Sequence, residues 1–369
     1  VNRSSNKLSS SVRYGIAGLG VIAENRLIAE GFACGVPPPA GRSNIGLAGV
    51  TDRNQQRRKV ADRLGVRWFG SLQDMLKSDE VDAVIIATDN ASHASIARDV
   101  LEAGRHCLIE KPMATSLEEA RLLRTLARDH GVSLAVDHVM EHNALNIMAR
   151  TLIAEGRIGE VNDICLHMEM LYGTTPDQAA SWRCSDASSL GGPTGDLGSH
   201  CFYMAEFLLR SRIASVSCVY YPKTLDIVVE NGAYIKFETE SGLTGSIRVA
   251  FSEPRGGLLT ALSNLGYEAY GTEGVLRAYG TLFQLSGDES DPVGLRMEVE
   301  DANGVERIPA PGAGNIYQSA IRRHAESVLE ARLEDGSAGI HNLQLILAAH
   351  DSAAHHGRTT WISRSSSKP

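Results

Sequence analysis

No apolar run in this 369-residue sequence approaches the roughly 20 residues that span a bilayer; the longest, such as 83–87, are strand-sized. Cysteine is sparse. The six residues (Cys34, Cys107, Cys165, Cys184, Cys201 and Cys218) form no C-x-x-C pair, and several sit in apolar strands. That excludes a disulfide scaffold and suits buried free thiols in a reducing, cytoplasmic setting. Basic blocks are missing as well. Lys and Arg number 36 against 44 Asp and Glu, giving a net charge of −8. The cluster Arg57-Arg58-Lys59 fits one exposed helical face. Neither a nucleic acid nor a membrane is expected as a partner. The opening stretch, rich in Ser and Asn, lacks the apolar core of a secretory signal, so 1–11 is expected to be a flexible lead.

The length exceeds the roughly 250–300 residues at which single cores stop growing, so two domains are expected. The first half alternates short apolar runs with helical patterns. Val12–Ala17 runs into Gly18-Leu19-Gly20-Val21-Ile22-Ala23, a G-x-G-x-x-A turn between a strand and a helix. Gly18 permits the tight turn, and Gly20 lets backbone approach a pyrophosphate. The helix that follows, with Val21 and Ile22 at its start, presents its amino end to negative charge. A Pro37-Pro38-Pro39 stretch reads as a surface insertion. The next strand ends at Asp52, placed to accept adenosine ribose hydroxyls and to repel a 2′-phosphate. That favours NAD; Arg53 beside it keeps NADP open. A turn residue ahead of a helix is the other reading of Asp52.

Trp68-Phe69, 83–88, 106–109 and 133–136 complete six expected strand–helix units. Thr88, Asn90 and His93 follow the fourth strand. Glu110-Lys111-Pro112-Met113 follows the fifth, holding an ammonium at a strand end, where open α/β sheets bind ligands. An ordinary strand-to-helix turn is the competing reading.

Beyond His138 the pattern turns to alternating strands, 161–171, 214–221, 233–238, 243–250, 258–264, 267–271 and 275–279, with two closing helices, 316–332 and 340–356. Gly271-Thr272-Glu273-Gly274 reads as a hairpin turn. The expected architecture is an α/β Rossmann domain over 12–137, a doubly wound parallel sheet. It is followed over 138–369 by an α+β domain with an open, mostly antiparallel sheet. Its last helix packs back toward the first domain, and its free sheet face would be covered by a homodimer or homotetramer contact. Within it, Trp182-Arg183 precedes a glycine-dense loop, Gly191-Gly192-Pro193-Thr194-Gly195-Asp196-Leu197-Gly198-Ser199-His200, running into a helix over 201–209. Asp196 and His200, four apart, share a face if the helix begins near Asp196. Otherwise Asp196 is an N-cap and His200 a half-buried helix residue.

Taken together, these pieces resemble the Gfo/Idh/MocA oxidoreductase family over nearly the whole chain. The specific pair is Glu110-Lys111-Pro112 with Asp196 and His200. The resemblance implies a nicotinamide cofactor in the first domain and a sugar, cyclitol or related polyol at the domain interface. Lys111, Asp196 and His200 then fall on catalytic positions, and Glu110 on a cofactor-ribose position. Arg183 matches a position suited to substrate hydroxyls or a carboxylate, and His138 is a further substrate-pocket candidate. The chain departs from the family's frequent residues at Asp89 (often Pro), at Tyr203 (often Asp) and across Asp137-His138-Val139-Met140-Glu141-His142.

The expected chemistry is hydride exchange with a hydroxyl or ketone. His200 would be the base, Asp196 would orient it, and Lys111 would stabilise the developing alkoxide, with His200 and Lys111 both open as the proton partner. Three alternatives stand beside it. They are a redox-neutral NAD-dependent sugar enzyme acting through transient oxidation, a non-catalytic NAD-binding sensor, and a metal site on His138 and His142, with Asp137, Glu141 and the Asp196/His200 pair available as further ligands.

Overall fold

The computed structural model describes residues 11–32, 44–252, 265–282, 295–309 and 315–363. The expected strand at 258–264 and the Pro37-Pro38-Pro39 stretch lie outside them. The chain forms two compact units, one made of residues 1–137 and 315–340, the other of 138–314 and 341–369.

The first unit is built on a five-stranded parallel sheet. Its strands are β1 (Val12–Ala17), β2 (Ile45–Thr51), β3 (Ala83–Ile86), β4 (His106–Glu110) and β5 (Leu134–Asp137), in the order β2-β1-β3-β4-β5. Every residue of β3 is fully buried, as a strand covered on both faces must be. The third expected strand, Trp68-Phe69, is reduced to one parallel bridge, Val50 to Trp68. The chain leaves the helix Arg58–Leu64 through Gly65 in the left-handed region (φ 67°), and only a short link remains before the next helix. Strand order reverses between β1 and β3, which opens a crevice at their carboxyl ends.

Local rules set several boundaries in this unit. Ser116 caps the helix Leu117–His130 by accepting the Glu119 N–H, and its hydroxyl donates in turn to the Glu119 carboxylate. Gly131, at φ 65°, ends that helix. One helix from far along the chain, Ile316–Leu329, belongs to this unit. It buries Tyr317, Ile321 and Val328, and its His324 Nδ1 lies 2.9 Å from the Tyr14 hydroxyl. After it, the Leu134 N–H donates to the Glu334 carbonyl at 2.8 Å, extending the sheet edge.

A nine-stranded sheet forms the second unit. Its strands are β6 (Val161–Glu169), β7 (Ile213–Tyr220), β8 (Gly232–Thr239), β9 (Thr244–Ala250), β10 (Leu265–Gly271), β11 (Gly274–Tyr279), β12 (Arg296–Asp301), β13 (Gly304–Ile308) and β14 (Thr360–Trp361). They lie in the order β13-β12-β11-β10-β6-β9-β8-β7-β14, and only the β6–β9 pair is parallel. The turn at Thr272-Glu273 joins β10 to β11 as a hairpin. Along β8, Ile235 and Phe237 point into the core while Tyr234, Lys236 and Glu238 point out. The inner face carries the helices Ala144–Ala154 and Gly192–Leu209. Phe202 and Met204 of the latter are fully buried, each worth about 1.5–3 kcal/mol in transfer from water.

Candidate active site

In the first unit the candidate residues gather at the carboxyl ends of β1 to β4. Gly18 adopts φ 93°, and a Cβ there would come within 2.6 Å of the Ala87 carbonyl and 2.7 Å of the Thr88 methyl. Only glycine lets the ends of β1 and β3 approach this closely. A Cβ at Gly20 would meet nothing within 4 Å, so the backbone on that side is open. Val21 is 71% exposed beside it, and Ile22 leads into the helix Ala23–Gly31. An open backbone at a helix amino end suits a pyrophosphate.

Asp52 has a structural task of its own. One carboxylate oxygen accepts the Leu19 N–H at 2.7 Å and the other the Asn54 N–H at 2.8 Å, so it ties the glycine turn to the end of β2. Arg57 reinforces the turn by donating to the Leu19 carbonyl at 2.6 Å while pairing with Glu24. Sequence reasoning missed Arg57, whose only signal was its place in a charged helical face. Arg53 is exposed and pairs with Asp89 at 3.3 Å. Thr88 accepts the Ser92 hydroxyl at 2.8 Å, and Asn90 is a buried residue that opens the next helix.

His93 is buried, and its Nδ1 lies 2.8 Å from the Pro112 carbonyl. A carbonyl only accepts, so Nδ1 carries the proton. Burial holds the His93 pKa below its usual value, which keeps the ring neutral. The Lys111–Pro112 peptide is cis. Met113 is fully buried, and a Cβ at Gly339 would come within 2.7 Å of its sulfur. Lys111 therefore stands on a turn gripped from both sides. Glu110 is in register with Asp137 on β5.

Asp137 is buried, and neither carboxylate oxygen has a hydrogen-bond partner. Burial first, and then the nearby Glu110 charge, push its pKa well above the ordinary carboxylate range. A raised folded pKa means the folded state binds more protons, so this group's stability contribution is present at low pH. It is lost as pH rises from the unfolded value of about 3.9 through the folded one. Asp137→Asn is expected to leave the melting temperature unchanged near pH 4 and to raise it at pH 8. Each kcal/mol recovered is worth about 2–4 °C. Melting curves at the two pH values check this, and an equal change at both would show that Asp137 is ionised in the fold.

In the second unit the glycine-dense stretch is not a loop. The helix runs over Gly192–Leu209, beginning well before the expected position. Gly191 is its N-cap, Pro193 occupies the first turn, and the Glu230 carboxylate accepts the Thr194 N–H at 2.9 Å. A Cβ at Gly195 would lie 2.2 Å from the Leu190 carbonyl, so the small residues serve close packing. Asp196 is thus inside the helix rather than capping it, one turn before His200. Asp196 pairs with Arg183 at 3.3 Å, and the Arg183 guanidinium lies over the Trp182 ring.

His200 is 4% exposed, and its Nδ1 is 2.8 Å from the Tyr203 hydroxyl. Tyr203 stacks on His138 (4.1 Å between centroids, 13° between planes). Tyr203 appeared in the sequence only as a departure from the family pattern; its i+3 spacing from His200 was the signal. His138 Nδ1 lies 3.5 Å from Glu141, and its Nε2 is buried without a partner. The segment Val139–His142 is a single 3-10 turn, so His138 and His142 do not take the α-helical spacing of the metal alternative. Among the described residues no group of three or more His, Cys, Asp or Glu side chains is placed to hold a metal.

A family model described as "Oxidoreductase family, NAD-binding Rossmann fold" matches residues 12–138, and one described as "GFO/IDH/MocA C-terminal domain" matches 147–277. The chain belongs to the Gfo/Idh/MocA oxidoreductase family. It is an NAD(P)-dependent oxidoreductase.

Among curated relatives it is 29% identical to 1,5-anhydro-D-fructose reductase of Ensifer adhaerens, over 68% of this chain and 70% of that protein. It is 26% identical to D-xylose 1-dehydrogenase (NADP(+)) 2 of Haloferax volcanii, over 82% of this chain and 94% of that one. Among solved structures, aldose-aldose oxidoreductase from Caulobacter crescentus, complexed with glycerol, shares the fold with a TM-score of 0.80. It is 20% identical and the match covers 95% of this chain and 99% of that one. A bound nicotinamide dinucleotide supplies or takes the hydride in this family's chemistry. The open Gly20 backbone and the Asp52 carboxylate at the end of β2 fit such a cofactor.

Proposed function

We propose that this Gfo/Idh/MocA enzyme oxidises or reduces a hydroxyl or ketone of a sugar, cyclitol or related polyol. The observation that carries the reading is the Arg183, Asp196 and His200 set on and beside the helix Gly192–Leu209. It offers a guanidinium, a carboxylate and an imidazole of the kind that bind a polyhydroxylated molecule and manage one of its protons. Lys111 serves the same reaction by hydrogen-bonding the reacting oxygen as negative charge develops there. Gly18, Gly20, Val21, Ile22, Asp52, Thr88, Asn90 and Glu110 serve the cofactor, with His93 holding the Lys111 turn. NAD is the preferred form, because the Asp52 charge disfavours a 2′-phosphate while Arg53 is engaged by Asp89.

The test is a thermal-shift comparison of NAD with NADP, followed by a panel of sugars and cyclitols read by nicotinamide absorbance. A larger shift with NAD and turnover of at least one polyol are expected; turnover of none would overturn the reading.

The enzyme is further proposed to be a homodimer or homotetramer through the outer face of its nine-stranded sheet, where Val219 and Tyr234, paired across β7 and β8, are each 46% exposed. Light scattering should give a multiple of the chain mass, and Tyr234→Glu should lower it; a monomeric wild type would refute this. A cytoplasmic location accords with the five described cysteines all being free thiols, and cell fractionation would test it.

A further inference from the structure

The peptide between Leu19 and Gly20 has a consequence for cofactor binding, and it rests on the proposal that the glycine turn holds the cofactor pyrophosphate. This peptide is trans, so its carbonyl and its N–H point in opposite directions, and fixing one aims the other. A peptide that precedes glycine is also the easiest to turn over, because glycine takes both signs of φ at little cost. One orientation offers an anion a donor; the other turns a carbonyl oxygen toward it.

A side chain from outside the turn makes the choice. The Leu19 carbonyl accepts from Arg57 Nε at 2.6 Å. The Gly20 N–H therefore points away from Arg57, and among the described residues it meets no backbone acceptor. Gly20 itself is exposed. Asp52 does not set this orientation, since its carboxylate takes the Leu19 N–H, which belongs to the preceding peptide. Arg57 is aimed in its turn. Its Nη2 donates to the Glu24 carboxylate at 2.7 Å, and Glu24 also pairs with Arg63. The Arg57 charge is thus matched within the first unit.

We propose that Arg57 is a positioning residue for the cofactor: by holding the Leu19 carbonyl it presets the Gly20 N–H as a donor to the pyrophosphate, without touching the cofactor itself. The peptide is ordered before the cofactor arrives, so binding does not bear that cost.

The test is isothermal titration calorimetry of the full chain with NAD, ADP and adenosine. Arg57→Met is expected to raise the dissociation constants of NAD and ADP about tenfold, the scale of one hydrogen bond to a charged group. Adenosine, which has no phosphate, should bind within about twofold of wild type, as an independent site does. Arg57→Lys should lie between, because an ammonium lacks the fork that joins the carbonyl to Glu24. The NAD ratio of variant to wild type should hold from about 0.05 M to about 0.5 M salt, since a matched charge acts by contact rather than through a screened field. Three results would each overturn the inference: equal loss for adenosine and NAD, a ratio that falls to one at high salt, or NAD affinity intact in both variants whatever their melting temperatures. Gly20→Val separates the inference from the reading beneath it. A Cβ there meets nothing within 4 Å, so the fold accommodates a side chain, which would stand where the pyrophosphate approaches. Unchanged NAD affinity in Gly20→Val would refute the glycine-turn reading itself. Affinity lost there but intact in the Arg57 variants would refute only the role of Arg57.

Discussion

Lys111→Ala is expected to lower kcat by about 10²–10³-fold, the loss typical of removing one preorganised donor from a developing oxyanion. The size follows from how the side chain is held. A lysine on a mobile turn would pay for its ordering each time and contribute little. Here the turn is fixed by the His93 Nδ1–H on the Pro112 carbonyl and by the burial of Met113. The ammonium is thus presented from a rigid base at the end of β4. Cofactor affinity should change by less than about threefold, since the glycine turn and Asp52 are untouched. Lys111→Arg should recover little, because a planar fork cannot take the place of a point charge on the same stem. Stopped-flow kinetics with a fluorescence titration of the cofactor measures both quantities. Unchanged turnover would show that Lys111 is only the turn residue its sequence position also allows.

His200→Ala is expected to cost about 10²–10³-fold in kcat with the cofactor dissociation constant unchanged. His200 sits inside the helix Gly192–Leu209, between Asp196 one turn before it and Tyr203 one turn after it. The Asn342 side chain braces this helix by donating to the Ser199 carbonyl at 2.9 Å. All of these partners lie in the second unit, whereas the cofactor-binding candidates lie in the first. The prediction therefore separates the two. Cofactor affinity lost with turnover intact would reverse the role given to His200. Asp196→Asn should fall between wild type and His200→Ala, because it leaves the imidazole in place while removing the charge that pairs with Arg183.

Much of this was legible in the residues. The turn at Gly18 and Gly20, the Glu110-Lys111-Pro112 strand end and the four-residue spacing of Asp196 and His200 are short-range patterns, and backbone sterics act over the same range. The first misreading was also local in kind. Gly191 to Gly198 looked like a loop because glycine is a poor helix former. The helix nevertheless starts at Gly192, since Glu230 caps it from another segment and the Leu190 carbonyl leaves no room for a side chain at Gly195. Tertiary packing outweighed propensity there, and no window of sequence contains both partners.

Chain order alone determined the classes of structure, the parallel α/β half followed by an antiparallel half, together with the residue types that could do the chemistry. These depend on periodicity and on turn geometry, which neighbours in sequence control. Only the tertiary structure decided partners. It returned Ile316–Leu329 to the first unit, set β6 parallel to β9, gave Asp52 the task of clamping the glycine turn, and placed the Tyr203 hydroxyl on His200. Such choices follow from burial and hydrogen-bond satisfaction among groups distant in sequence, or from the direction a side chain takes once its helix is packed. A residue list does not contain that information.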